Sequence, residues 1–398
     1  MKSVVFCLRF ILCALLLSAG PALTQTPSLT LAAKPAPPID YVYVSQTPVN
    51  PGPNQVYGFA AAASGKLTPI LGSPFQADVK YMAVNGKYLF GSTTDNLYLN
   101  SYTIGKNGAL TFAVANDIEK ITGGVNNLYG TNYFLSLDHT GAALYDFRTN
   151  GSEQDYESFA INNATGALSL TPGYVWYPSS GSDGMGPFTI SANNKYFYNT
   201  AVGIDGYGIY MMDRSSNGTL LTPPSGEPNI PLPANITGRL FFPTGISADP
   251  ANHVAVAFEN VQDNQYTWPV GPDQLGVFTA NAQGVLTTTS NYKNMPKVAV
   301  GDTMQIRMST SGKLLAVGGT TGLEIFHFNG GSPLTIFSTP VKNVPILAVR
   351  WDNHDHLFAL GENGKLYEFT VTPTSVSPAP GSPYSIPGAQ NLIVQPLL

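Results

Sequence analysis

A Gly-x-Leu step recurs along this chain and limits its fold more than any other feature. It reads Gly65-Lys66-Leu67, Gly108-Ala109-Leu110, Gly166-Ala167-Leu168, Gly218-Thr219-Leu220 and Gly284-Val285-Leu286. Looser versions follow at Gly331-Ser332-Pro333-Leu334 and Thr374-Ser375-Val376, and successive copies stand 43, 58, 52, 66, 48 and 42 residues apart. Around the second copy, Val79–Ala113 divides into four short runs rich in Tyr, Phe, Val, Leu and Thr, with Asn and Gly between them. Alternation bounded by such turn residues marks antiparallel strands. A four-stranded unit of this size has two apolar faces that only a neighbouring unit can cover. Repetition at roughly 40–50 residues is the pattern of a β-propeller, whose radial blades cover one another. The expected fold is all-β: a seven-bladed β-propeller of four-stranded antiparallel blades.

Each strand of the repeat can be counted. Second strands begin near Tyr41, Lys87, Ala142, Lys195, His253, Lys313 and His356, mostly after Asn/Gly/Ser turn chemistry. Third strands end in Val56–Phe59, Leu97–Ile104, Tyr156–Ile161, Ile209–Met212, Leu275–Phe278, Leu323–Phe328 and Leu366–Val371. Inner strands number six between Val79 and Trp351, and the seventh lies at the far end of the chain, in Asn391–Val394. The C-terminal strand is therefore expected to pair with the N-terminal blade and close the ring. One helical turn is expected, at Asp117–Ile121. Longer inserts at Val114–Asn132, Thr171–Gly186, Leu221–Phe241 and Glu259–Gln274 fall where connections emerge on one rim.

Three segments are expected: a signal peptide over 1–24, a Pro-rich linker over 25–38 and the propeller over 39–398. The leader carries Lys2 and Arg9, then the apolar run Phe10–Leu17, then small residues up to Ala22 and Thr24. It is too short and too interrupted to span a membrane. Cleavage before Gln25 implies a secreted or periplasmic protein and removes both cysteines, Cys7 and Cys13. Disulfides, thiolate metal sites and cysteine nucleophiles are then excluded together. Loss of Lys2 and Arg9 leaves 17 basic residues of the original 19 against 24 acidic ones, which argues against a nucleic-acid partner. A closed ring is expected to be a monomer.

The pattern Tyr41-Val42-Tyr43-Val44, Val56-Tyr57-Gly58-Phe59, Gly65-Lys66-Leu67-Thr68-Pro69 and Gly72-Ser73-Pro74-Phe75 resembles the seven-bladed lactonase-like propellers. That family includes 6-phosphogluconolactonase-like proteins. Pro380-Gly381-Ser382-Pro383-Tyr384 repeats the last part of the signature in the final blade. The resemblance runs from about Ile39 to the C-terminus and implies a small lactone or sugar acid as ligand. It carries no catalytic residue over: at the places where family members hold a His-Pro pair, this chain reads Gly186-Pro187, Phe242-Pro243 and Val344-Pro345.

Two function classes follow. A lactone hydrolase needs an acid or base within hydrogen-bond reach of a water, and Asp146, Arg148, Glu259 and Asp263 are the rim residues of suitable type. A binding propeller would present aromatic loop residues such as Tyr174, Trp176, Tyr177, Tyr266 and Trp268 to a glycan or partner protein. One pairing is more specific. Aligned on their second strands, Arg307 and Arg350 share a register on adjacent inner strands beside the central channel, and Tyr81 and Thr189 align with them in other blades. Two guanidiniums side by side suit a carboxylate or phosphate. His354 and His356, beside Asp352 and Asp355, fall in a turn where polar residues are expected anyway, so no metal and no cofactor is anticipated.

Overall fold

A computed structural model of the chain describes residues 36–47, 52–123, 131–149, 153–171, 175–178, 184–202, 207–221, 230–263, 269–330 and 334–397. Seven antiparallel sheets follow one another in sequence order, each built of four strands paired in succession. Their inner strands are Ala389–Pro396 for the first blade, then Met82–Val84, Thr131–Leu137, Gly184–Ile190, Arg239–Ala248, Thr303–Met308 and Ile346–Trp351 for the second to seventh. The first blade is completed from the far end of the chain, with Val42 opposite Val394 and Val44 opposite Leu392. Pro37–Leu398 forms one compact unit.

The apolar residues sit between the blades. Each of seven core clusters joins the facing sides of two adjacent sheets. At the closing seam Val42, Val44, Leu392 and Val394 pack against Phe358, Leu360 and Leu366 of the seventh blade. Each fully buried aliphatic or aromatic side chain there contributes roughly 1.5–3 kcal/mol, so closure is a packing event as well as a pairing one.

The Gly-x-Leu step proves to be a seam device. Its glycine adopts a left-handed φ, as at Gly218 (+93°), and turns its carbonyl toward the preceding blade. There it accepts a hydroxyl: Tyr43 donates to Gly108 at 2.8 Å, Ser101 to Gly166 at 2.8 Å, Tyr145 and Ser158 to Gly218 at 2.8 and 2.7 Å, and Tyr198 to Gly284 at 2.7 Å. A Cβ on Gly218 would lie 2.5 Å from that of Ala143, so close approach of the blades requires glycine as much as the φ does. A second device holds the turn between inner and second strands. Asn85, Asp138, Ser191, Asp249, Ser309 and Asp352, one per blade from the second to the seventh, each accept backbone N–H groups across that turn.

Local details differ from the sequence expectations. The outer strand of the second blade runs on to Asp117, and the short helix is Ile118–Thr122, with the Asp117 carboxylate accepting from Lys120 N at its N-terminus. Val175–Pro178, inside an expected connection, instead pairs with Glu153–Tyr156 as an added strand. The two Ser-Pro signatures do the same in the first and seventh blades, where Phe75–Gln76 and Tyr384–Ser385 pair with the third strands and both Ser-Pro bonds are cis. The leader, and the linker up to residue 35, lie outside the described residues, as do parts of the long inserts.

Candidate functional site

Arg307 stands opposite Ala316 and Arg350 opposite Phe358, each the third residue of its second strand. The two arginines thus share a register on neighbouring inner strands. Thr189, opposite Tyr198, shares it two blades away from Arg307. Tyr81 does not. It pairs with Ser92 through the backbone, and Ala83, opposite Phe90, occupies the arginine register in that blade. The offset arises because the turn between inner and second strands is shorter there, with Ala83 seven residues before its partner Phe90 where Arg307 is nine before Ala316, so counting back from the second strand overshoots.

Polar side chains of the inner strands reach forward to the free edge of the next one. Thr189 Oγ1 accepts from Ala248 N at 3.0 Å, Ser247 Oγ from Met308 N at 2.9 Å, and Gln305 Oε1 from Val349 N at 2.7 Å. Thr189 is therefore part of this inter-blade stitching. Gln305, which the sequence alignment passed over, also accepts from Arg350 Nη1 at 2.9 Å, and the same nitrogen donates to Val349 O at 2.8 Å.

Neither arginine has a carboxylate within 4.0 Å among the described residues. Both are half-buried, and a small pocket beside Arg307 is walled by Phe134, Pro187, Gly245, Met304 and Gln305. Burial pushes the Arg307 guanidinium down to about 10. Burial and the neighbouring charge of Arg307 together hold Arg350 well below its ordinary value. Two half-buried cations stand close together without a counter-ion among the described residues.

The four rim residues separate into two kinds. Asp146 and Arg148 are fully buried, with Arg148 Nε donating to Asp146 Oδ2 at 2.6 Å, Glu157 Oε2 3.6 Å away and Arg148 Nη1 donating to Asn96 O at 2.7 Å. They join the second and third blades and do not open onto the rim. Glu259 is half-buried, and burial followed by the charges of Asp273 and Asp302 raises its carboxyl; Asp263 is exposed. Of the aromatic candidates, Tyr174, Tyr266 and Trp268 lie outside the described residues, as do the side chains of Trp176 and Tyr177.

A second charged cluster lies where the ring closes. Asp352 Oδ1 holds its turn by accepting from His354 N and His356 N at 2.7 and 2.8 Å, while Oδ2 lies 2.5 Å from His356 Nδ1. Asp40, from the first blade, and Glu368, from the third strand of the seventh, are fully buried beside them. No local motif links Asp40 to the histidines, which lie at the opposite end of the chain.

No family model matches the sequence, and no curated protein does. Solved structures do resemble the fold. A candidate 6-phosphogluconolactonase from Bacteroides fragilis has a TM-score of 0.61 at 13% identity, covering 89% of this chain and 97% of that one. A second candidate 6-phosphogluconolactonase, from Bacteroides uniformis, gives 0.62 at 12% identity over 89% and 99%. A protein from Lactobacillus plantarum gives 0.63 at 14% identity over 89% and 99%. At these identities the likeness is one of fold.

Proposed function

We propose that this propeller binds a small organic anion, a sugar acid or its lactone, in the central channel at Arg307 and Arg350. One observation carries the proposal: two neighbouring guanidiniums are enclosed together without a carboxylate partner among the described residues. Each raises the cost of charging the other, and a carboxylate or phosphate between them offsets that cost through paired N–H···O bonds. Gln305 already fixes one face of Arg350, leaving the rest of its planar fork for a ligand. The similarity to candidate 6-phosphogluconolactonases supports sugar acids and lactones as the first class to try. The leader supports export, so the ligand sought is one met outside the cytoplasm.

A thermal-shift panel of gluconate, δ-gluconolactone, phosphate and chloride tests this. Gluconate is expected to raise the melting temperature of the protein, and Arg307→Leu and Arg350→Leu to abolish the rise. Equal responses in both variants and the parent would overturn the channel site. Acid release from the lactone, lost with Glu259→Gln, would extend binding to hydrolysis at the rim.

A further inference from the structure

We propose that the seam closing the ring holds a divalent cation, ligated by the carboxylates of Asp40 and Asp352 and the imidazole of His354. One ligand atom from each lies within 4.8 Å of the others. Opposed ligands of a single ion with bonds of roughly 2.0–2.3 Å stand up to about 4.6 Å apart, so one ion bridges this set after small side-chain rotations. His354 is exposed and gives the ion a path inward, while both carboxylates are fully buried.

Independent of that spacing, two of the buried acids here lack donors among the described residues. Asp40 is 0% exposed, and among the described residues no hydrogen-bond donor reaches either of its oxygens. Glu368 is also 0% exposed with neither oxygen partnered. Its Oε1 lies 3.0 Å from where a Cβ on Gly65 would stand, and His356 Cδ2 lies 3.4 Å from the same point, so it faces the same pocket. Buried carboxylates without donors are expensive unless a cation or a proton neutralises them.

One other seam of the ring shows a different filling of this place. Between the third and fourth blades, Asp138 occupies the turn position of Asp352, and the Arg214 guanidinium from the end of the fourth blade's third strand donates to it. In the first blade the corresponding strand ends in Ala61, whose methyl supplies no charge, and its strand partner Asp40 adds a second carboxylate. Where Ser158 donates to the next blade's glycine carbonyl, the seventh blade has Glu368. The closing seam has exchanged an internal cation and a hydroxyl for two acids. With two carboxylates and one imidazole as ligands, Mn²⁺ or Zn²⁺ fits the site better than Ca²⁺. His356, against Asp352 Oδ2, holds that ligand in place from behind.

The test uses the whole chain, stripped with a chelator, exchanged into buffer and reloaded with Mn²⁺ or Zn²⁺. One equivalent is expected to remain after gel filtration, raising the melting temperature by roughly 5 °C at a hundredfold excess over Kd. Asp40→Asn is expected to retain no metal, show no shift and melt no lower than the stripped parent, because it removes a like charge without changing shape. His354→Ala is expected to weaken binding at least ~tenfold. Asp249→Asn, at the equivalent Asp–His turn of the fifth blade, is expected to bind as the parent does. Failure of the parent to hold one equivalent, or full retention by Asp40→Asn, would overturn the site. So would an Asp40→Asn variant that melts well below the stripped parent, since Asp40 would then be acting as a structural proton-sharing partner of Asp352.

Discussion

Arg148 and Arg350 are both enclosed by neighbouring blades, but they keep opposite company. Arg148, between the second and third blades, is 0% exposed and bonds Asp146 at 2.6 Å with Glu157 beyond it. Arg350, beside the channel, meets a glutamine, a carbonyl and a second arginine. Fully burying a guanidinium costs several kcal/mol in lost hydration, and half-burying one beside a like charge costs less but is still unfavourable. In the blade seam that cost is offset by carboxylates of the same sheet. In the channel it is left outstanding. Burial of charge by itself therefore does not single out a ligand site in this ring; what sets the proposed site apart is burial without a counter-ion among the described residues.

The largest effect expected from breaking this contrast is at Arg148. Arg148→Leu leaves Asp146 and Glu157 facing each other across the strand pair without the guanidinium between them. Removing one member of a buried ion pair costs about 3–5 kcal/mol, and chemical denaturation at neutral pH should show a loss of that size. A loss below about 1 kcal/mol would mean that the triad does not neutralise itself, and the contrast with the channel would fail.

Arg214→Leu should come next, and its cost should depend on pH. Burial alone would raise the Asp138 carboxyl, but hydrogen bonds from Thr140, Asn194 and Ala143 N, with the charge of Arg214, hold it below its usual value. A carboxyl depressed on folding contributes stability above its unfolded value near 4, and that stability is lost as pH falls through the folded value. Without Arg214 the deficit should be about 2–4 kcal/mol at pH 7 and should shrink toward pH 3 as Asp138 takes up its proton. A deficit constant from pH 7 to pH 3, followed by urea melts, would assign the loss to packing against Tyr145 instead.

The fold could be read from sequence because its determinants are local and repeated. The Gly-x-Leu glycines sit at every seam where their carbonyls are used, and the Asn, Asp and Ser turn residues recur in register. Closure by the C-terminal strand followed from counting inner strands against second and third ones. The sites were less legible. Counting back from the second strands gave Arg307 and Arg350 the register that the sheets show, whereas the shorter turn after Met82–Val84 misplaced Tyr81. Asp146 and Arg148 alternate with apolar residues in an ordinary strand pattern, and only the sheet shows that their side chains meet inside a seam. Asp40 joins Asp352 only because the ring closes, and no local pattern records a contact made by closure.

The smallest expected effect sharpens the contrast most. No side-chain hydrogen bond or carboxylate partner of Arg307 is present among the described residues, and its guanidinium depresses that of Arg350. Arg307→Leu, measured without added anion, should therefore change stability by no more than about 1 kcal/mol, and the change should be toward greater stability at low ionic strength. Salt screens repulsion between the two charges, so the advantage of the variant should narrow as sodium chloride rises. Arg350→Leu gives up its bonds to Gln305 and Val349 and should fall slightly below it. If Arg307→Leu instead cost as much as Arg148→Leu, the channel arginine would have an internal partner after all. An anion would then have no outstanding charge to neutralise, and the channel would be as self-contained as the seam between the second and third blades.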